Sequence, residues 1–95
     1  MSKGYWIVSL TIADDVPYQQ YVAANAAIFQ KWSGRFLVRG GAFETLHGRS
    51  GARQVVLEFD SYDAAQNCYR SPEYQAALQL LLAAATVQFV IVEGV

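Results

Sequence analysis

Residues 5 to 12 alternate, with Trp6, Val8, Leu10 and Ile12 falling on one face and Tyr5, Ile7, Ser9 and Thr11 on the other. A period of two predicts a strand, and because both faces are largely apolar, a strand covered on both sides. The period then changes. From 16 to 32, Tyr18, Tyr21, Val22, Ile28, Phe29 and Trp32 recur at three- and four-residue steps and form one stripe of a helix. Gln19, Gln20, Ala23, Gln30 and Lys31 face away from that stripe. Asp14 and Asp15 offer N-cap carboxylates and Pro17 suits the first turn, while Gly34 is the expected left-handed residue after the last turn. Asn25 breaks the pattern. It lies four after Tyr21 and four before Phe29, so an amide stands in the middle of the apolar stripe.

A second, short strand covers 35 to 38 or 39, and Gly40-Gly41 allows a bulge or tight bend after it. Residues 42 to 46 or 47 continue as an edge arm. Gly48-Arg49-Ser50-Gly51 reads as a hairpin turn returning into an antiparallel strand over 52–59. Asp60-Ser61 caps a helix over 62–69, and Ser71-Pro72-Glu73 starts a fresh one that runs to about 84. The last strand spans 87–93. The order β-α-β-β-α-β is an α+β, ferredoxin-like plan: a four-stranded antiparallel sheet with its helices on one face. The other face still carries apolar side chains from every strand, which predicts a homodimer whose second copy covers it.

Composition sharpens this picture in a few places. The 95 residues are expected to form one domain, 1–95. With 54% apolar and only 16% charged residues, some apolar surface is expected to hide against a partner. A net charge of −1 supplies no basic face for phosphates, so nucleic-acid binding is not expected. The longest apolar run, 80–87, is far short of the ~18 residues of a membrane span, so no membrane partner is expected. The single Cys68 excludes an internal disulfide, and the N-terminus lacks the apolar core of a signal peptide; together these favour a cytoplasmic home. There is no Cys-x-x-Cys pair, His-x-x-x-His spacing, phosphate loop or Gly-x-Ser-x-Gly elbow, so neither metal nor cofactor is expected.

The candidate chemistry centres on Arg39, a guanidinium inside a run that otherwise wants to be buried. It reads either as an anion clamp at the mouth of a cleft or as an ion-pair partner of Glu58. Asn25 can orient a bound carbonyl, or be a buried amide satisfied by its neighbours. Glu58, among Val55, Val56, Leu57 and Phe59, is a candidate general base with a raised pKa, or an arginine's partner. His47, the only histidine, is a second candidate base, or a solvated loop residue. Tyr69 and Tyr74 flank the Ser71-Pro72 step and either line the cleft with hydroxyls or pack in the core. Cys68 has no His or Asp placed to activate it. Three functions follow: a module binding a small organic acid or aromatic between sheet and helices; a small cofactor-independent enzyme of monooxygenase or isomerase type, with Glu58 or His47 as base; and an interaction module that works through its dimer face.

Lys3-Gly4-Tyr5-Trp6, Tyr21-Val22-Ala23-Ala24-Asn25, Gly34 to Gly41, Glu58-Phe59, Ser71-Pro72-Glu73-Tyr74 and Val90 to Val95 together resemble the domain-of-unknown-function family 1330. The resemblance implies the fold of the dimeric α/β-barrel proteins, a homodimer, and kinship in fold with small cofactor-free monooxygenases. It implies no reaction. The chain departs from the family twice: Ser33 stands where the first of two glycines is usual, and Leu81 stands where a basic residue is usual.

Overall fold

The computed structural model describes residues 2–95 and orders them as β1 (Gly4–Ile12), α1 (Asp15–Lys31), β2 (Arg35–Arg39), β3 (Arg53–Phe59), α2 (Tyr62–Arg70), α3 (Pro72–Ala84) and β4 (Ala85–Glu93). The strands form one antiparallel sheet in the order β2-β3-β1-β4, with β1 and β3 central. This is the expected ferredoxin-like arrangement. The expected edge arm over 42–47 is absent: residues 40–52 form a loop without strand pairing. Phe43 and Leu46 within it are exposed, so no burial fixes an alternating pattern there.

The alternation in β1 is realised. Trp6, Val8 and Leu10 are buried under the helices, while Ile7 on the opposite face is 41% exposed. Trp6 is the hub of the core. Its ring meets Phe29, Phe59, Tyr69, Tyr74 and Phe89 with centroids 4.8–6.2 Å apart, and its Nε1 donates to the Ala65 carbonyl at 2.9 Å. That hydrogen bond matters because a buried indole N–H needs a partner. α2 and α3 lie over β1, β3 and β4. α1 packs chiefly on α3 and stands off the β2 side of the sheet.

Ser71 joins α2 to α3. Its hydroxyl donates to Cys68 O at 2.7 Å and accepts from Tyr74 N at 3.3 Å, so one side chain closes one helix and caps the next. At the other helix entry Asp14 is the N-cap of α1, accepting from Val16 N at 3.2 Å.

The end of α1 corrects an expectation. Gly34 N bonds to Phe29 O at 2.8 Å and Ser33 N to Gln30 O at 3.4 Å, the paired bonds of a Schellman motif. The left-handed residue is therefore Ser33, at φ 56°, and not Gly34. Gly34 is needed for a different reason, since a Cβ there would strike the Phe59 ring. A serine in left-handed backbone carries strain that a glycine does not. Ser33→Gly is expected to stabilise the fold by about 0.5–1 kcal/mol; a urea midpoint that rises with an unchanged slope would show it, and a fall would mean the serine hydroxyl matters more than its backbone.

Candidate functional site

Because α1 stands off the sheet, a cavity of about 630 Å³ opens beneath it. Its floor is the inner face of the sheet: Trp6, Val8, Leu10 and Ile12 of β1, Val55 and Leu57 of β3, and Phe36 of β2. Its roof is α1, through Tyr18, Tyr21, Val22, Asn25 and Phe29, and Leu81 of α3 adds to the wall. The volume is that of a site for a small organic molecule.

Arg39 reaches this cavity through a break in the strand. Phe36 is paired with Leu57, yet Val38 is paired with Val56 and Arg39 with Val55. One extra residue, Leu37, is inserted in β2. Without that bulge, strict alternation would turn Arg39 to the face opposite Phe36. With it, Phe36 and Arg39 share the inner face, and the Arg39 guanidinium lies over the Phe36 ring, 4.4 Å from its centroid. Of the bulge or tight bend expected at Gly40-Gly41, the bend is there, with Gly40 at φ 71°, and a bulge lies earlier, at Leu37.

Arg53 is the second cation and the residue that sequence reasoning missed. The signal was in the alternation: Arg53 shares parity with Val55, Leu57 and Phe59, the inner face of β3. Its guanidinium crosses Gly40, whose φ is +71° and whose Cβ position it would occupy. Gly40 thus admits a side chain of the protein itself, where the glycine pair had suggested close approach by a ligand. Arg53 Nε is buried without a hydrogen-bond partner, and so is Asn25 Oδ1. Among the described residues no carboxylate lies within ion-pair distance of Arg39 or Arg53. Asp15, Gln19 and Gln30 also line the cavity, although the two glutamines were expected to face away.

Residues 3–95 match the domain of unknown function DUF1330. The chain belongs to that family. No curated protein matches it. Among solved structures, a protein of unknown function from Rhodopseudomonas palustris superposes with a TM-score of 0.79 at 15% identity, covering 99% of this chain and 83% of that one. SnoaB, a cofactor-independent oxygenase from Streptomyces nogalater, gives 0.64 at 17% identity over 97% of this chain and 92% of its own. A dimeric ferredoxin-like protein of unknown function from Thermobifida fusca gives 0.58 at 15% identity, covering 97% of this chain and 91% of that one. At these identities the likeness is one of fold. Leu81, the DUF1330 position where the resemblance leads one to expect a basic residue, is a cavity wall residue only 1% exposed. This member has hydrocarbon there, and its cavity cations come from β2 and β3.

The other candidates lie elsewhere. Glu58 is on the outer sheet face, opposite Arg35. Arg35 donates to its Oε1 from Nε at 3.2 Å and from Nη2 at 3.0 Å, and the Tyr5 hydroxyl donates to Oε2 at 3.0 Å. The expected raised pKa is corrected: the Arg35 guanidinium, then the Tyr5 hydroxyl, hold Glu58 below the ordinary carboxylate value. The partner of Glu58 is Arg35 and not Arg39. His47 is exposed in the 40–52 loop and does not line the cavity. Tyr69 and Tyr74 do not line it either. Tyr74 is fully buried against Trp6, with its hydroxyl 2.6 Å from that of Tyr21, and Tyr69 packs between Trp6 and Phe89. Both pack on the Trp6–Phe89 side of the core, toward β4, and no β4 residue lines the cavity. Burial pushes the Cys68 thiol up to about 12, so it remains protonated at neutral pH. Among the described residues no group of three or more His, Cys, Asp or Glu could hold a metal ion, and no helix is long and apolar enough to cross a membrane.

Glu58 carries a pH signature. Its folded pKa lies below the unfolded value, so its stabilising contribution is complete above the ordinary carboxylate range of about 4 and is lost as pH falls through the lower folded value. Glu58→Gln is expected to flatten that acid limb of the stability curve while barely changing its slope at neutral pH. Denaturant midpoints measured from pH 6 to pH 2.5 test this; an unaltered acid limb would assign the loss to other carboxylates.

Proposed function

We propose that the cavity binds a small organic acid with an apolar, aromatic-sized body, its carboxylate held by Arg39 and Arg53. One observation carries the reading: two guanidiniums reach an aromatic-lined cavity with no carboxylate paired to either, and the Nε of one is buried without a partner. Guanidiniums on protein surfaces usually find carboxylates, and a planar fork of donors fits a carboxylate in two-point contact. The apolar walls suit the rest of such a molecule, and Asn25 supplies a further polar anchor.

A second reading, a cofactor-independent enzyme, draws on the fold shared with SnoaB. Fold alone is a weak warrant for chemistry. Glu58 and His47, the candidate bases, are not among the residues lining the cavity, which lends that reading no support. The binding reading is preferred.

Cinnamate and octanoate, followed by Trp6 quenching or calorimetry, test it. Saturable binding is expected, with cinnamamide at least about tenfold weaker. Arg39→Met and Arg53→Met, which keep the apolar stem, are each expected to weaken the carboxylates by about tenfold with little effect on the melting temperature. Equal binding of acid and amide, or no saturable binding of either acid, would overturn the reading.

We infer in addition that the chain works as a homodimer. Val38, Val56, Ile7 and Val90 form a continuous cross-strand row on the outer face, and Val38, Ile7 and Val90 are exposed. β-branched side chains in an open row across a sheet are surface that a partner ordinarily covers, and the related fold from Thermobifida fusca is described as dimeric. Sedimentation at micromolar concentration is expected to give a dimer that Val90→Glu dissociates; a wild-type monomer would remove the inference without touching the cavity.

A further inference from the structure

The cavity lacks a wall. Phe36 and Arg39 line it, yet Phe36 is 38% exposed and Arg39 is exposed too, so the void is open along β2. A site for a small organic molecule ordinarily encloses most of its ligand. The loop that β2 runs into stands at that opening. Its flanking residues, Arg39 and Arg53, are both cavity residues, and the pairing of Leu10 with Arg53 sets the loop at the same end of the sheet as the first turn of α1. The roots of the loop are fastened: Gly40 N donates to Gln54 O at 2.8 Å, Gly51 N to Ser9 Oγ at 2.6 Å and Ala52 N to Thr11 Oγ1 at 3.1 Å. Between them, residues 41–50 are all exposed. Among the described residues they make no hydrogen bond to the rest of the protein; their one bond is internal, between the Thr45 and Ser50 hydroxyls. Such a segment sits at the low-stability end of a fold.

Its composition is not that of a mere connection. Phe43 is 49% and Leu46 73% exposed, and neither lines the cavity. Across the opening, in the turn of α1 that carries the lining residue Asp15, Val16 is 68% exposed. Gly41 has nothing within 4 Å of its Cβ position, so the chain has room to turn just beyond the fastened root. Phe43 is four residues from Arg39, about 13 Å of extended chain, which matches the width of a 630 Å³ void.

Resting on the carboxylate-binding reading, we propose that residues 41–50 are a lid that closes over the occupied cavity, turning at Gly41 to lay Phe43 on the ligand's apolar body and Leu46 toward Val16. The gain is conditional on the ligand. Over an empty cavity Phe43 would cover a void, whereas over a ligand it buries apolar surface on both partners. The closed form therefore binds the ligand better, which is the condition for a ligand to shift the loop.

Limited trypsin digestion of the intact chain tests this, because Arg49 lies within the loop. Without ligand, the first cut is expected after Arg49; saturating cinnamate is expected to slow that cut about tenfold. Phe43→Ser with Leu46→Ser removes the lid's apolar contacts at two exposed positions. The double variant is expected to keep the wild-type melting temperature, to bind cinnamate about tenfold more weakly, mostly through faster dissociation, and to be cut after Arg49 at the same rate with and without cinnamate. A ligand that merely stabilised the whole fold would protect both proteins alike, and that result overturns the lid. So does saturable binding of cinnamate with no protection at Arg49, which leaves the carboxylate reading intact. Protection that rises with protein concentration in the absence of cinnamate overturns it as well and assigns the loop to a second copy. If cinnamate does not bind saturably, both readings fall. The wild-type digestion decides the matter even should the double variant fail to fold.

Discussion

α1 is fastened over the sheet from one side, and the cavity exists because of it. The fastening is the seam with α3. Deep in that seam the hydroxyls of Tyr21 and Tyr74 lie 2.6 Å apart, and at its end Glu73 accepts from Trp32 Nε1 at 3.4 Å and from Lys31 Nζ at 3.3 Å. Burial drives the Tyr74 phenol far above its ordinary value and raises Tyr21 as well, so both remain neutral and each satisfies the other. At the far flank the Phe29 ring meets Phe36 edge-on, 5.6 Å between centroids, and props the helix above β2. A helix of 17 residues, about 25 Å long, is thus held along one edge and propped at one end. The span between is void, and it is lined by whatever side chains the stripe and the inner sheet face present.

Two local departures from regular backbone decide which cations enter that void. The insertion of Leu37 reverses the facing of every residue after it in β2, and so turns Arg39 inward. The positive φ of Gly40 opens the surface across which the Arg53 guanidinium lies. The two devices are adjacent in the chain, and each serves a different arginine on a different strand. The conjunction places two guanidiniums among the residues that line one cavity. Departures from regularity that cost stability and converge on one point are the ordinary mark of a site shaped for something other than folding.

Much of this was legible in the chain. Period two in 5–12 and the three-four spacing of the tyrosines and phenylalanines in 16–32 fixed the strand, the helix and their faces, because burial of one face enforces both patterns. The caps at Asp14, Ser61 and Ser71 were legible for the same kind of reason, a side-chain oxygen beside unpaired helix N–H groups. What remained hidden depends on pairing partners. A bulge leaves no trace in β2 itself, since Arg35-Phe36-Leu37-Val38-Arg39 reads equally well in either register. The fate of Arg39 hung on that register: strict alternation groups Arg35, Leu37 and Arg39 on the face of Glu58, whereas the bulge leaves Arg35 opposite Glu58 and turns Arg39 to the cavity. Arg53 was legible by parity.

The sheet contains its own control for the meaning of its arginines. On the outer face Arg35 bonds to Glu58 and to Asp60 at 3.1 Å, and Lys3 reaches Asp60 at 3.8 Å, so the cations there are neutralised by the fold. Solvated pairs of this kind contribute little to stability, yet they are what a chain acquires when nothing opposes it. On the inner face, a strand's thickness away, two arginines of the same sheet have acquired no such partner, although acidic residues are no scarcer in the chain than basic ones. The difference between the faces is therefore not one of supply. A carboxylate paired to them would quench that charge, yet Asp15, which lines the same cavity, forms no ion pair with either.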